Sequence, residues 1–192
     1  MIKSAFPKEL NADVEAVCRA LLVESRAYDE ALLSEQSTEW KLTNGEIIKV
    51  PYRIYIDDYL LTLKKMTECR KIIYHCIFSR SSDGYIRQKH IRALLDMDLP
   101  EWAMPYVIKI CDEYVKEILD IVYEKLKNEN CQAYKKLCWL NLKNIQSGHS
   151  RMMSYWRSYY WRDNCDYNGY IGKRLFAECF GYRKTGQKLI NI

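Results

Sequence analysis

One stretch, Asp83 to Leu126, limits what this chain can become. It reads as two helices and a turn: SDGYIRQKHIRALL, then DMDLPEWAM, then PYVIKICDEYVKEILDIVYEKL. In the last segment Val107, Ile110, Cys111, Tyr114, Ile118, Ile121, Val122 and Leu126 recur at three- and four-residue spacing. A continuous helix there would carry one broad apolar face. Leu99 and Met104 each precede a proline, which pushes both away from helical backbone and sets a boundary in the turn. Pro105 suits a first helical turn, where its missing donor costs nothing. The spacing predicts a helical hairpin whose long second arm needs neighbours on both flanks.

The rest of the chain supplies candidates. Asn11 or Asp13 is placed to cap a helix running to about Glu35, with Val14, Val17, Cys18, Leu21, Leu22, Leu32 and Leu33 as its stripe. The period then changes. TEWKLT and EIIKV flank Asn44-Gly45, the pattern of a tight β-hairpin with a type I′ turn near residues 38–50. Two strands are marginal alone, so this ribbon must lean on a helical body. A helix is expected from Tyr59 to Phe78, and Ser82 or Asp83 is placed to cap its successor. Beyond Leu126, KNENC breaks the pattern and CQAYKKLCWLNLKNI resumes it. QSGHS reads as a second break before SRMMSYWRSYYWRD. A short helix in IGKRLFAECFGY should stop at Gly181.

These readings give a mainly α-helical fold of about seven helices with one small β-hairpin. The hairpin of Asp83–Leu126 should pack on Tyr59–Phe78 and Cys131–Ile145. The 192 residues suit one domain, read in three parts: 1–58 with the first helix and the hairpin, 59–145 as helical core, and 146–192 as a basic aromatic end. Seven Gly and four Pro are few, which favours long helices over turn-rich β structure. The eight cysteines are scattered without Cys-x-x-Cys spacing. They read as small hydrophobes in a reducing, cytoplasmic setting. The first residues lack an apolar run of signal length, and no run approaches the roughly 18 apolar residues of a membrane span. No membrane association is expected.

Charge is unevenly spread. Residues 131–192 hold eleven Lys/Arg against three Asp/Glu, a net +8, whereas residues 1–130 carry a net −3. The basic end faces a polyanion or an acidic patch of its own fold. Within it Arg151, Trp156, Arg157, Tyr160 and Arg162 interleave cations with rings, followed by Lys173 and Arg174. Bases stack on such rings and arginine neutralises phosphate, as a single-strand groove requires. The same spacing also puts Met152, Tyr155, Trp156 and Tyr159 on one helical face, as a core helix requires. A smaller basic group, Arg80, Arg87 and His90, is a candidate anion seat, although Arg87 could instead pair with Asp83 across one helical turn.

Other chemistry finds no recognisable setting. Cys69, His75, Cys76 and His90, like Cys131 and Cys138, lack the short ligand spacings of structural zinc sites. His75 and Cys76 are adjacent, so on a helix their side chains diverge by about 100°. Asp57-Asp58 and Asp96/Asp98 read as turn carboxylates. No G-x-S-x-G, H-E-x-x-H or phosphate-cradling glycine loop is present. No residue is nominated as catalytic or as a metal ligand, and no cofactor is expected.

Asp83, Ile86, Arg87 and Leu94 follow the D-x-x-[VI]-R-x-x-A-x-x-x-L pattern, and residues 103–112 supply a partner helix. Over about residues 83–122 the chain resembles HEAT-type helical repeats, departing from the pattern where His90 stands in place of Ala. The resemblance implies a helical stack used as a binding scaffold. Together these readings point to an intracellular helical protein-interaction module that binds a protein partner or a second copy. The alternative is a nucleic-acid-binding protein that uses its basic aromatic C-terminal third.

Overall fold

Helices dominate, as the periodicity predicts. The structure, a computed structural model, describes residues 2–25, 34, 36–58, 65–161 and 166–183. Among them are eight α-helices and a single two-stranded antiparallel ribbon. The chain divides into two compact units, residues 1–106 and 107–192. The Asp83–Leu126 stretch contributes its first helix to one unit and most of its second arm to the other.

The first unit opens with 3-10 turns at Ile2–Ala5 and Lys8–Leu10, then α1 (Asn11–Ser25), β1 (Ser37–Lys41), β2 (Ile47–Pro51), α2 (Glu68–Phe78) and α3 (Gly84–Leu95). Val14, Val17 and Leu21 of α1 are buried. Its expected continuation towards Glu35 falls largely outside the described residues. In the ribbon Trp40 pairs with Ile48 and Thr38 with Val50. Trp40, Leu42, Ile48 and Val50 share a buried face, while Glu39 and Lys49 form an ion pair at 3.0 Å on the wet one. This is period-two alternation with one face covered. The turn differs from the expected type I′. Leu42 N donates to Glu46 O at 2.8 Å and Gly45 N to Leu42 O at 2.9 Å, so three residues form the loop. Gly45 has φ 89°, the left-handed residue that a three-residue loop places last. Asn44 instead accepts the Glu46 amide on its side chain at 2.9 Å.

Helix α2 starts at Glu68, not Tyr59. Thr67 caps it, accepting the Arg70 amide at 3.3 Å. The Thr–Glu pair at its start is a capping signal that the apolar periodicity overrode. Of the expected earlier part, residues 59–64 lie outside the described residues. Asp83 caps α3 as expected, accepting the Tyr85 amide at 2.7 Å. Helix α2 packs against both α1 and α3, and Arg70 joins Asp13 of α1 at 2.7 Å. Phe6 stacks on Tyr106 at 5.5 Å and meets Trp102 edge-on at 5.8 Å.

The second unit holds most of α4 (Met104–Ile110), then α5 (Lys116–Leu126), α6 (Gln132–Leu140), α7 (Leu142–Tyr155) and α8 (Ile171–Arg174). The arm expected as one helix from Pro105 to Leu126 is therefore broken at residues 111–115. The apolar stripe still holds: Val107, Ile110, Cys111, Ile118, Val122 and Leu126 are buried. At the interruption stands a buried charge: Asp112 receives Lys109 Nζ at 2.7 Å and Arg151 Nε at 3.1 Å. Leaving a buried charge without its partner costs about 3–5 kcal/mol.

The expected break at QSGHS is also displaced, since α7 runs straight through it. Inside α7, Gly148 leaves room for Asp112, whose Cβ would lie 3.3 Å from a Cβ at that position. The real break is Asn141, at φ −121° and ψ 37°, whose side-chain Nδ2 donates to Leu137 O at 2.9 Å. Both C-terminal helices widen into π turns, Trp156–Tyr160 and Leu175–Cys179. Gly181, at φ 71°, ends the last one as expected, with Tyr182 N donating to Phe176 O at 2.8 Å.

Candidate functional site

Two places carry chemistry, one in each unit. In the first, the residues after β2 are laid along the α2–α3 turn. Ile54 N donates to Arg80 O at 2.8 Å and Ser82 N to Ile54 O at 2.9 Å. Arg80, wholly buried, reaches Pro51 O at 3.1 Å and Tyr52 O at 2.7 Å. Arg87, also buried, donates to the carbonyls of Ser81 and Ser82, each at 2.9 Å. Two of the three residues expected to seat an anion thus act as struts on backbone carbonyls.

Their bracing brings Asp58 to the α2–α3 interface. Asp58 Oδ1 accepts Tyr74 OH at 2.8 Å, and Oδ2 accepts Lys89 Nζ at 2.5 Å. His90 Nε2 lies 3.1 Å from the same Oδ2. On the far side of the ring, His90 Nδ1 meets His75 Nδ1 at 2.9 Å. His90 is 1% exposed and His75 8%. Tyr74 and Phe78 pack on the His90 ring at 5.2 and 5.0 Å. Asp58, His90 and His75 therefore form a chain in which each group touches the next.

The chain dictates its protons. The His90 Nε2 contact is not aligned as a hydrogen bond. A bare nitrogen lone pair 3.1 Å from a carboxylate oxygen is nonetheless repelled by it, so the favoured tautomer carries hydrogen on His90 Nε2 and a lone pair on His90 Nδ1. In that tautomer His75 Nδ1 donates to His90 Nδ1, which leaves His75 Nε2 as the lone pair of its ring. Burial would raise the Asp58 carboxyl, but Lys89, Tyr74 and His90 together outweigh it and hold the group below its ordinary value. Burial, with His90 adding to it, pushes His75 down to about 4. Burial also lowers His90 against the opposing pull of Asp58. Both rings are neutral at neutral pH. Among the described residues no group of three or more His, Cys, Asp or Glu could hold a metal, since here the donors run in a line instead of converging.

The second place is the basic aromatic end. Arg151 is held by Asp112, and Trp156 is half-buried with its ring 5.0 Å from Tyr167. Lys173 lies over Tyr167 at 4.6 Å and donates to Asn168 at 2.5 Å. Arg174 pairs with Glu178 at 3.2 Å and lies over the Tyr123 ring at 4.8 Å. Tyr160 donates to Tyr114 O at 2.5 Å and stacks on Tyr170 at 5.8 Å. Arg157 is exposed, and Arg162 lies outside the described residues.

The π turn splits the expected ring face. Met152 is buried, Tyr155 and Trp156 are half-buried, and Tyr159 and Trp161 stand 58% and 61% exposed. Tyr114, 46% exposed, meets Tyr155 at 5.8 Å and Tyr159 at 5.9 Å. Tyr159 lies 6.5 Å from Tyr160. The result is a patch of phenol rings in water. Sequence reasoning placed Tyr114 in the core; the break after Ile110 turns it outward. It also missed the Asp58–His90–His75 chain, for which spacing carries no signal.

No family model, curated protein or solved structure matches this chain. The likeness of residues 83–122 to HEAT-type repeats thus rests on the sequence pattern alone.

Proposed function

We propose that this protein is an intracellular, cytoplasmic protein-interaction module whose contact surface is the ring patch of Tyr114, Tyr155, Tyr159 and Tyr160. The observation that carries the reading is the exposure of Tyr114 and Tyr159 beside half-buried neighbours. Burying the phenol rings against a partner removes apolar area from water while the hydroxyls keep hydrogen bonds. Tyr, Trp and Arg also dominate binding hot spots, and Arg157 and Trp161 follow in the same segment. The free thiols of the described cysteines suit a reducing compartment.

Nucleic-acid binding is the second reading, favoured by exposed Arg157 between exposed rings. It is weakened because Arg151, Lys173 and Arg174 already have partners within their own unit. One experiment separates the two. Affinity capture from native lysate is run with the wild-type chain and with Tyr159→Ala/Tyr114→Ala, beside a sizing column and an oligonucleotide shift. A protein partner retained by wild type and lost by the variant supports the module. Self-association lost by the variant identifies a second copy as the partner. An oligonucleotide shift that falls steeply with salt replaces the module with the second reading.

A further inference from the structure

We propose that His75 Nε2 is a phosphoryl-acceptor site, with Asp58 and His90 as positioning residues that hold its ring and take its other proton. His90 Nδ1 and His75 Nδ1 share a hydrogen bond of 2.9 Å, and His90 Nε2 lies 3.1 Å from Asp58 Oδ2 in a contact that is off hydrogen-bond alignment. The chain has one end at a carboxylate already satisfied by Tyr74 and Lys89. Its other end is a nitrogen with no hydrogen-bond partner among the described residues, on a ring that keeps 8% accessibility. A neutral imidazole whose second nitrogen donates to a base is the arrangement that activates a nucleophile.

The surrounding charge selects the electrophile. Lys71, one turn before His75 on α2, and Lys89 both act on the ring. Among the described residues Lys71 pairs with Glu68, in an exposed ion pair at 2.5 Å. Such a pair contributes little and is readily exchanged. An incoming dianion gains Lys71 as its counter-charge, whereas a cationic donor meets like charge. Phosphoryl donors fit this setting.

The step balances without a further reagent. With phosphoramidate, the His75 Nε2 lone pair forms the N–P bond as the donor's P–N bond breaks and ammonia leaves with its electron pair. The proton on His75 Nδ1 crosses to His90 Nδ1, leaving phosphohistidine beside an imidazolium that faces the Asp58 carboxylate.

The test incubates the full chain with phosphoramidate and follows intact mass, then maps the acid-labile group. One phosphoryl group on His75 is expected. His75→Asn should abolish it, and His149→Gln should leave it unchanged. Asp58→Asn should slow labelling about tenfold or more, with Asp58→Glu restoring part of the rate. Imidazole nitrogen shifts measured by NMR on wild type provide an arm independent of variant folding, and should find His75 with Nδ1–H and bare Nε2. Label on other residues, no label on folded wild type, an unchanged rate in folded Asp58→Asn, or the opposite tautomer overturns the proposal.

Discussion

Both units bury charge, Arg80 and Arg87 in the first and Lys109 and Asp112 in the second, and both leave tyrosines in water. The first adds a buried histidine pair, and the second gathers its exposed rings into one patch. Arg80 and Arg87 are sealed and spend their donors on carbonyls, while Arg157 remains at the surface. The difference teaches that burial follows satisfaction of hydrogen bonds and charge, not residue type. A guanidinium can go inside when a turn offers it several carbonyls. A tyrosine stays outside when a helix break or a π turn rotates it away from the apolar stripe.

The comparison can be broken first at its charges. Asp112→Ala removes the buried carboxylate that receives Lys109 and Arg151, and should cost about 3–5 kcal/mol in a urea titration. A loss under about 1 kcal/mol would show that water replaces the pair. Arg80→Met should cost a comparable or slightly smaller amount, about 2–4 kcal/mol, because two carbonyls lose their donor while the side-chain volume is kept.

Acid should act on the first unit through the histidine chain. The unfolded His75 binds its proton near 6.5 and the folded ring near about 4. Between those values the unfolded state holds more protons, so stability falls as pH drops from 6.5 towards 4. The loss should reach about 2 kcal/mol after allowing for solvent at the ring. Asp58, held low, adds a fall in the same direction at more acidic pH. In His75→Asn the slope between pH 6.5 and 4 should flatten; an unchanged slope would assign it to other groups.

Smaller effects test the packing of the second unit. A Cβ at Gly172 meets Tyr170 Cε1 at 2.7 Å and Met152 at 2.9 Å. Gly172→Ala should therefore cost about 1–3 kcal/mol, with thermal unfolding as the readout. Tyr159→Ala, at the exposed patch, should change stability by no more than about 0.5 kcal/mol. Loss of partner capture without loss of stability is the signature expected of a contact surface.

The sequence by itself determined the helical class, the single ribbon and most helix starts. Those features depend on local physics: apolar spacing, an Asp83 carboxylate over free amides, a glycine at Gly45 and another at Gly181. It also determined most buried positions of the Val107–Leu126 stripe, Tyr114 and Ile121 excepted, because periodicity survives a break in the backbone. Tertiary structure decided the rest. At the break, Asp112 is held by Arg151, far along the chain. Gly148, in mid-helix, leaves room for Asp112 beside it. The Asp58–His90–His75 chain joins three segments whose separations in sequence, 15 and 32 residues, follow no periodic rule. Hydrogen bonds between distant side chains leave no trace in local spacing, so only the folded chain reveals them.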